Sequence, residues 1–272
     1  MCELLGMSSS LPATVNLSLA KLAQHGGSPT FIRDGWGVAY YEGADVRLIK
    51  DAGPADESDW IGFLRNHPLR SSIVVAHIRK ATVGERVYQN TQPFTRELAG
   101  RTHLFAHNGW LPGIIEVGRF QSARYAPVGE TDSEQAFCGL LDRLQDIWRQ
   151  RRVIPPLAAR LAVVSSFAAE MRSLGPANFL YSDGETLFAH GDRRKQAATG
   201  RVEPPGLVFL ERQCGKDARS LDANGVSIEV AEQNITLVAS VPLTEEPWVA
   251  LAEGEVVAIT KGEVARSPYQ GR

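Results

Sequence analysis

Two helical segments set back to back in the middle of the chain constrain its fold more than any other feature. Residues 133–150 place Phe137, Leu140, Leu141, Leu144 and Trp148 on one face of a long helix. Pro155-Pro156 breaks the pattern, and a second helix is predicted over 157–174, closed by Gly175-Pro176. The runs on either side read as strands. Residues 36–41 are β-rich, and 46–49 alternate as their hairpin partner. Residues 73–78 are continuously apolar, and 103–107 run into Asn108-Gly109. After the helices come β-rich runs at 178–190, 206–211, 226–230, 235–240 and 255–260. Two further helices are predicted. One spans 58–66, capped by Ser58 or Asp59; the other spans 14–25, with Val15, Leu19 and Leu22 at helical spacing and Gly26-Gly27 as its stop. Strands, then helices, then strands is not the alternation of a doubly wound fold. The expectation is an α+β protein of two sheets with helices packed against them.

Charge narrows the function classes. The chain has 29 Lys plus Arg against 31 Asp plus Glu, a net charge of −2. That balance gives no electrostatic footprint for nucleic acid and no polybasic patch for a membrane surface. The one linker-like stretch, RQRRVIPP at 149–156, puts its arginines at the end of the long helix, where they suit the dipole. No apolar run is long enough to span a bilayer. The first residues lack a basic region and carry Glu3, so they do not read as a signal peptide, and a cytoplasmic location is expected. The three cysteines form no CxxC pair, which fits reduced thiols. Cys138 lies in the helical pattern and is predicted to be buried. Cys2 has no such explanation.

Removal of Met1 would make Cys2 the first residue, with thiol and α-amine on one Cα. The amine titrates near about 7.8 and the thiol near about 8.5, so one can serve as base for the other. Four segments add to this. Arg79 follows the apolar 73–78 strand, where a guanidinium suits either a substrate carboxylate or a surface salt bridge. Asn108 and Gly109 offer a side-chain amide and an unhindered N–H, the makings of an oxyanion hole, although Asn-Gly is also a common hairpin turn. In 129–134 (GETDSE), Thr131, Asp132 or Ser133 can cap the long helix, or Asp132 can meet a substrate ammonium. In 34–39 (DGWGVA), glycines flank Trp36, marking either close backbone approach or a turn.

With these residues in order, the chain resembles the class II glutamine amidotransferases, the glutaminase modules of the N-terminal nucleophile hydrolases. Cys2 after Met1, DGWGVAYY, HIRKAT, NTQPF, HNG and GETDSE appear in the family's order and approximate spacing. The start, MCELLG, is similar to that of the stand-alone bacterial members. The resemblance implies one domain over 1–272, with the strands of about 178–260 completing a four-layer αββα sandwich of two mostly antiparallel sheets. It implies that Cys2 is the nucleophile with its own α-amine as base. By the same resemblance Asn108 and Gly109 hold the oxyanion, Arg79 the glutamine carboxylate, Asp132 the ammonium, and Thr82 adds a hydroxyl contact.

The sequence also departs from the family. Glucosamine-synthesising members carry a Trp after the Arg and a His after the Thr; here those positions are Lys80 and Val83. No acceptor domain for the ammonia is seen, so a separate synthetase is the expected partner. No Walker A loop or Rossmann glycine pattern is present, and no cofactor is expected. His103 and His107 lie four apart on a strand without a carboxylate-rich motif, so no metal site is expected. The expected reaction converts glutamine to glutamate and ammonia. The alternatives are hydrolysis of a γ-glutamyl peptide or conjugate, and a non-catalytic amino-acid-binding module that kept the fold.

Overall fold

The computed structural model describes residues 2–17, 34–55, 57–80, 84–214, 220–223, 226–229 and 232–266. The first half contains β1 (Glu3–Leu17), β2 (Trp36–Glu42), β3 (Asp45–Asp51), α1 (Asp59–Asn66), β4 (Arg70–Ile78), β5 (Phe94–Leu98) and β6 (Arg101–Gly109). Helices α2 (Asp132–Leu144) and α3 (Leu157–Arg172) follow. Then come β7 (Ala177–Ser182), β8 (Leu187–His190), β9 (Arg194–Lys195), β10 (Val202–Glu203), β11 (Val208–Cys214), β12 (Ser220–Ala223) and β13 (Val226–Glu229). The last strands are β14 (Gln233–Ala239), β15 (Val249–Ala250), β16 (Val256–Thr260) and β17 (Glu263–Arg266).

The first sheet runs β15-β11-β14-β1-β4-β2-β3, with the β12–β13 hairpin joined to the far half of β1. The second runs β17-β16-β8-β7-β6-β5. Neighbours in both are antiparallel. Because side chains alternate along a strand, each sheet has two faces to bury. Leu4, Ala39, Ile73 and Val75 of the first sheet meet Leu104, Ala106, Leu180 and Val257 of the second. On the far side of the first sheet, Leu5, Met7, Trp36 and Val74 pack with Ile61 and Leu64 of α1. On the far side of the second, Phe105, Phe179 and Phe188 pack with Phe137 and Leu140 of α2 and Phe167 of α3. The layers are therefore αββα, as the family resemblance implies.

Several expectations need correction. Residues 14–17 are not helical: they end β1 and pair with β13. The rest of the predicted 14–25 helix lies outside the described residues. Tertiary pairing overrides the helical spacing there, because β1 is the central strand and gains a ladder along both edges. The long helix stops at Leu144, six residues short of its predicted end, and 145–147 form a turn. The arginines of 149–152 therefore lie beyond the helix and do not decorate its last turn. Asn108-Gly109 is no hairpin turn; both residues are extended and pair with Asn178 and Ala177. The capping residue of α2 is Thr131, which accepts from Glu134 N at 3.2 Å. Ser58 stands at the N-cap of α1, but its hydroxyl donates to Asp51 Oδ2 instead. Cys138 is fully buried, as predicted.

Candidate active site

Cys2 and Asn108 meet because the two sheets bring unlike strand ends together. Cys2 immediately precedes β1 and, by alternation, shares the inward face with Leu4. Asn108 lies near the end of β6, on the inward face with Leu104 and Ala106. Its Nδ2 donates to the Cys2 carbonyl at 2.8 Å. The β1–β4 ladder pairs Glu3 with Ile78, which sets the thiol beside the residues that follow β4. Lys80 N donates to Cys2 Sγ at 3.2 Å, and the thiol lies 3.4 Å from Lys80 O. Burial pushes the Cys2 thiol above its ordinary pKa, against the smaller lowering pulls of the Lys80 N–H and the Arg79 cation. A thiol raised in this way stays protonated near neutral pH and needs a base to react.

Gly109 has no room for a side chain. A Cβ there would lie 1.9 Å from Pro176 O and 2.5 Å from His107 Nε2. His107 points to the helix layer, where its Nδ1 lies 2.9 Å from Ser133 Oγ. Ser133 Oγ in turn donates to Asp132 Oδ1 at 3.2 Å. The other Asp132 oxygen accepts from Leu111 N at 2.8 Å, two residues past Gly109. Asp132 is thus fixed to the end of β6 as well as to the start of α2.

Arg79 is nearly buried, and its guanidinium donates to three backbone carbonyls: Asp34, Gly84 and Glu85. Asn90 bridges this loop to the Asp132 segment, donating to Glu85 O at 3.1 Å and accepting from Glu130 N at 2.9 Å. Arg79 and the GETDSE segment are therefore brought to one neighbourhood through Asn90. Thr82 and Met1 lie outside the described residues. Gly37 explains part of the DGWG motif: a Cβ there would sit 2.3 Å from Gln92 O, so close backbone approach is required.

Some residues of the site carry no clear sequence signal. Gln92 exchanges two hydrogen bonds with the His107 backbone, at 2.6 and 3.2 Å. Its amide takes the place of a strand neighbour just before β5 begins. Asn178, fully buried, donates to Asn108 O at 3.1 Å and to Arg193 O at 2.8 Å, and accepts from Asp192 N at 2.8 Å. Glu134 is buried and pairs with Arg96 while accepting from Gly129 N at 2.7 Å, so it anchors the loop ahead of Asp132. Gln92 and Glu134 fall inside the NTQPF and GETDSE motifs; nothing in the pattern around Asn178 marks it.

Cys2, immediately ahead of the central strand, thus meets an amide from the opposite sheet within an αββα sandwich. The chain belongs to the class-II glutamine amidotransferases, whose family pattern it matches over residues 1–270. It is 39% identical over 266 residues to YafJ of Escherichia coli (strain K12), a protein whose name places it among the glutamine amidotransferases; the match covers 97% of this chain and 99% of that protein. It is 34% identical over 270 residues to MJ1515 of Methanocaldococcus jannaschii, covering 98% of this chain and 71% of that protein. Among solved structures it is similar to the crystal structure of a predicted glutamine amidotransferase from Pseudomonas aeruginosa PA01. That match has a TM-score of 0.71 and 36% identity, and covers 97% of this chain and 99% of that one.

Proposed function

We propose that this enzyme hydrolyses the γ-amide of glutamine with Cys2 as nucleophile, after removal of Met1 frees the Cys2 α-amine. The observation that carries this reading is the 2.8 Å hydrogen bond from Asn108 Nδ2 to Cys2 O, which sets an amide donor beside the thiol. As Sγ bonds to the carbonyl carbon of the γ-amide, its proton passes to the α-amine. Charge then collects on the carbonyl oxygen, where the second Asn108 N–H and the Gly109 N–H receive it. The C–N bond breaks, the proton leaves with ammonia, and water cleaves the γ-glutamyl thioester to glutamate. Arg79 grips the α-carboxylate, Asp132 the α-ammonium, and Thr82 adds a hydroxyl contact. Ammonia passes to water or to a separate synthetase. Three free thiols fit a reducing compartment, and the cytoplasm is the proposed location.

The test measures glutamate release by purified protein whose intact mass shows loss of Met1. Glutamine and a panel of γ-glutamyl peptides are the substrates. The expected result is release from glutamine, abolished in Cys2→Ala. Release from the peptides but never from glutamine would redirect the reading to γ-glutamyl conjugates. Full activity in protein that retains Met1 would overturn the amine as base.

A further inference from the structure

A nucleophile at a chain terminus faces a physical problem, because terminal residues fray unless tied down. The reaction needs the thiol held within a fraction of an ångström of the oxyanion donor, and here those two groups belong to different sheets. One short segment touches the ends of both. Residues 192–194 leave the second sheet after β8 and open β9. Asn178, the cross-strand partner of Asn108, holds this segment by the Asp192 N–H and the Arg193 carbonyl while also donating to Asn108 O. Gly206 closes over it: a Cβ there would lie 1.6 Å from Asn178 Oδ1.

The same segment then reaches the first sheet. Arg194 Nη2 donates to Glu3 Oε1 at 2.8 Å, and Nη1 donates to Ser240 O. Both side chains of the ion pair are almost wholly buried. Ser240 in turn exchanges hydrogen bonds with Leu4, accepting at Oγ from Leu4 N at 3.0 Å and donating from its own N–H to Leu4 O at 3.1 Å. The backbone on either side of Glu3 is thereby fixed. Cys2 is held by Asn108 and Lys80, Leu4 by Ser240, and Glu3 by Arg194.

We propose that Arg194 and Asn178 are positioning residues that lock the nucleophile of the first sheet in register with the oxyanion donor of the second. Neither touches the reacting atoms. Arg194 acts through Glu3, the residue next to Cys2, and Asn178 acts through the backbone of Asn108. A buried ion pair is a costly way to gain stability alone, since an apolar pair of the same size often does as well. Here the fork of Arg194 fixes a direction that an apolar contact leaves loose.

The inference rests on Cys2 and Asn108 acting as proposed above. The test compares Arg194→Met, Arg194→Lys and Asn178→Ala with the parent, using glutamate release and titration of active sites by a glutamine-analogue inactivator. Positioning predicts a full count of titratable sites, kcat lower by about 10- to 100-fold in Arg194→Met and Asn178→Ala, and KM for glutamine within about threefold. Arg194→Lys keeps the charge opposite Glu3 but not the fork, and recovers part of kcat. A fall in titratable sites with unchanged kcat per site would show a purely structural role and overturn the proposal. So would unchanged kcat in folded Asn178→Ala and Arg194→Met. If the parent itself releases no glutamate from any γ-glutamyl compound, the proposed function fails instead. The inactivator reports on Cys2 separately: slower inactivation per folded molecule in Arg194→Met would still support the lock, and an unchanged rate would sink it.

Discussion

The two sheets supply unlike halves of the site. The second sheet offers Asn108 and Gly109 from the last two residues of a regular ladder, steadied by the neutral amides of Gln92 and Asn178. The first sheet offers Cys2 and Arg79 from just outside its strands. These are steadied by a loop of carbonyls around Arg79 and by the buried Glu3–Arg194 pair. The comparison teaches a division of labour. Dipoles that must point one way at all times sit on a rigid ladder, where secondary structure fixes them. Cys2 and Arg79, the groups proposed to act as nucleophile and carboxylate grip, sit just outside strand ends, and extra contacts replace the order that a ladder would have given.

The largest effect expected to sharpen this contrast is from Cys2→Ala. Glutamate release should fall below detection while thermal unfolding shifts little, because Cys2 stands outside the ladder. A collapse of the fold instead would mean that the first-sheet end is structural. Asn108→Ala comes next, with a loss on the order of 10²–10³ in kcat and little change in KM, read from steady-state kinetics. If KM rises instead, Asn108 binds ground-state substrate and the two halves are less distinct than drawn. Asp132→Asn should raise KM for glutamine by about 10- to 100-fold, since a charge-assisted hydrogen bond of about 1.5–3 kcal/mol is lost while its neutral Leu111 contact can remain. Weakened binding with unchanged kcat is the signature.

A separate effect concerns acid stability rather than catalysis. Burial lowers His77 of the first sheet to about 3 and His103 of the second to about 4. Both are neutral in the folded state. The unfolded chain takes up protons below about pH 6.5 that the folded chain refuses until about pH 4. Stability is therefore full above pH 6.5 and drains as pH falls through that window, by about 1.4 kcal/mol per pH unit for each histidine. Urea midpoints between pH 7 and 4 should show this slope. His77→Gln and His103→Gln should each remove one proton's worth, one from each sheet. A slope unchanged by one of these substitutions would show that the histidine concerned is not held neutral in its core; the remaining slope belongs to the second sheet's other buried histidines, His107 and His190.

The layering was legible in the sequence wherever apolar periodicity was strong. The runs at 73–78 and 103–107 and the apolar face of α2 declare their partners. β1 escaped because its middle is polar: Ser8 and Ser9 are buried, yet their hydroxyls are spent on Gly262 N and Leu11 O. A polar residue satisfied by a distant backbone group leaves no trace in a hydropathy pattern. β5 escaped for a related reason, since Thr95, Arg96 and Glu97 break its alternation and its pairing comes from β6. In the site, Cys2, Asn108 and Asp132 stood out through motif order. Asn178 and Arg194 did not, because their roles depend on contacts 70 and 191 residues away in sequence.

The strand that follows Cys2 has a consequence for how this chain is made. β1 is made before both of its main neighbours, since β4 and β14 begin only at Arg70 and Gln233. During synthesis its second edge waits until Gln233 and beyond have been made, a bare row of amides and carbonyls open to wrong partners. A fragment that ends before Gln233 would leave that edge exposed along Leu5 to Ser9, and such fragments should need chaperones or proteases to keep them from self-association.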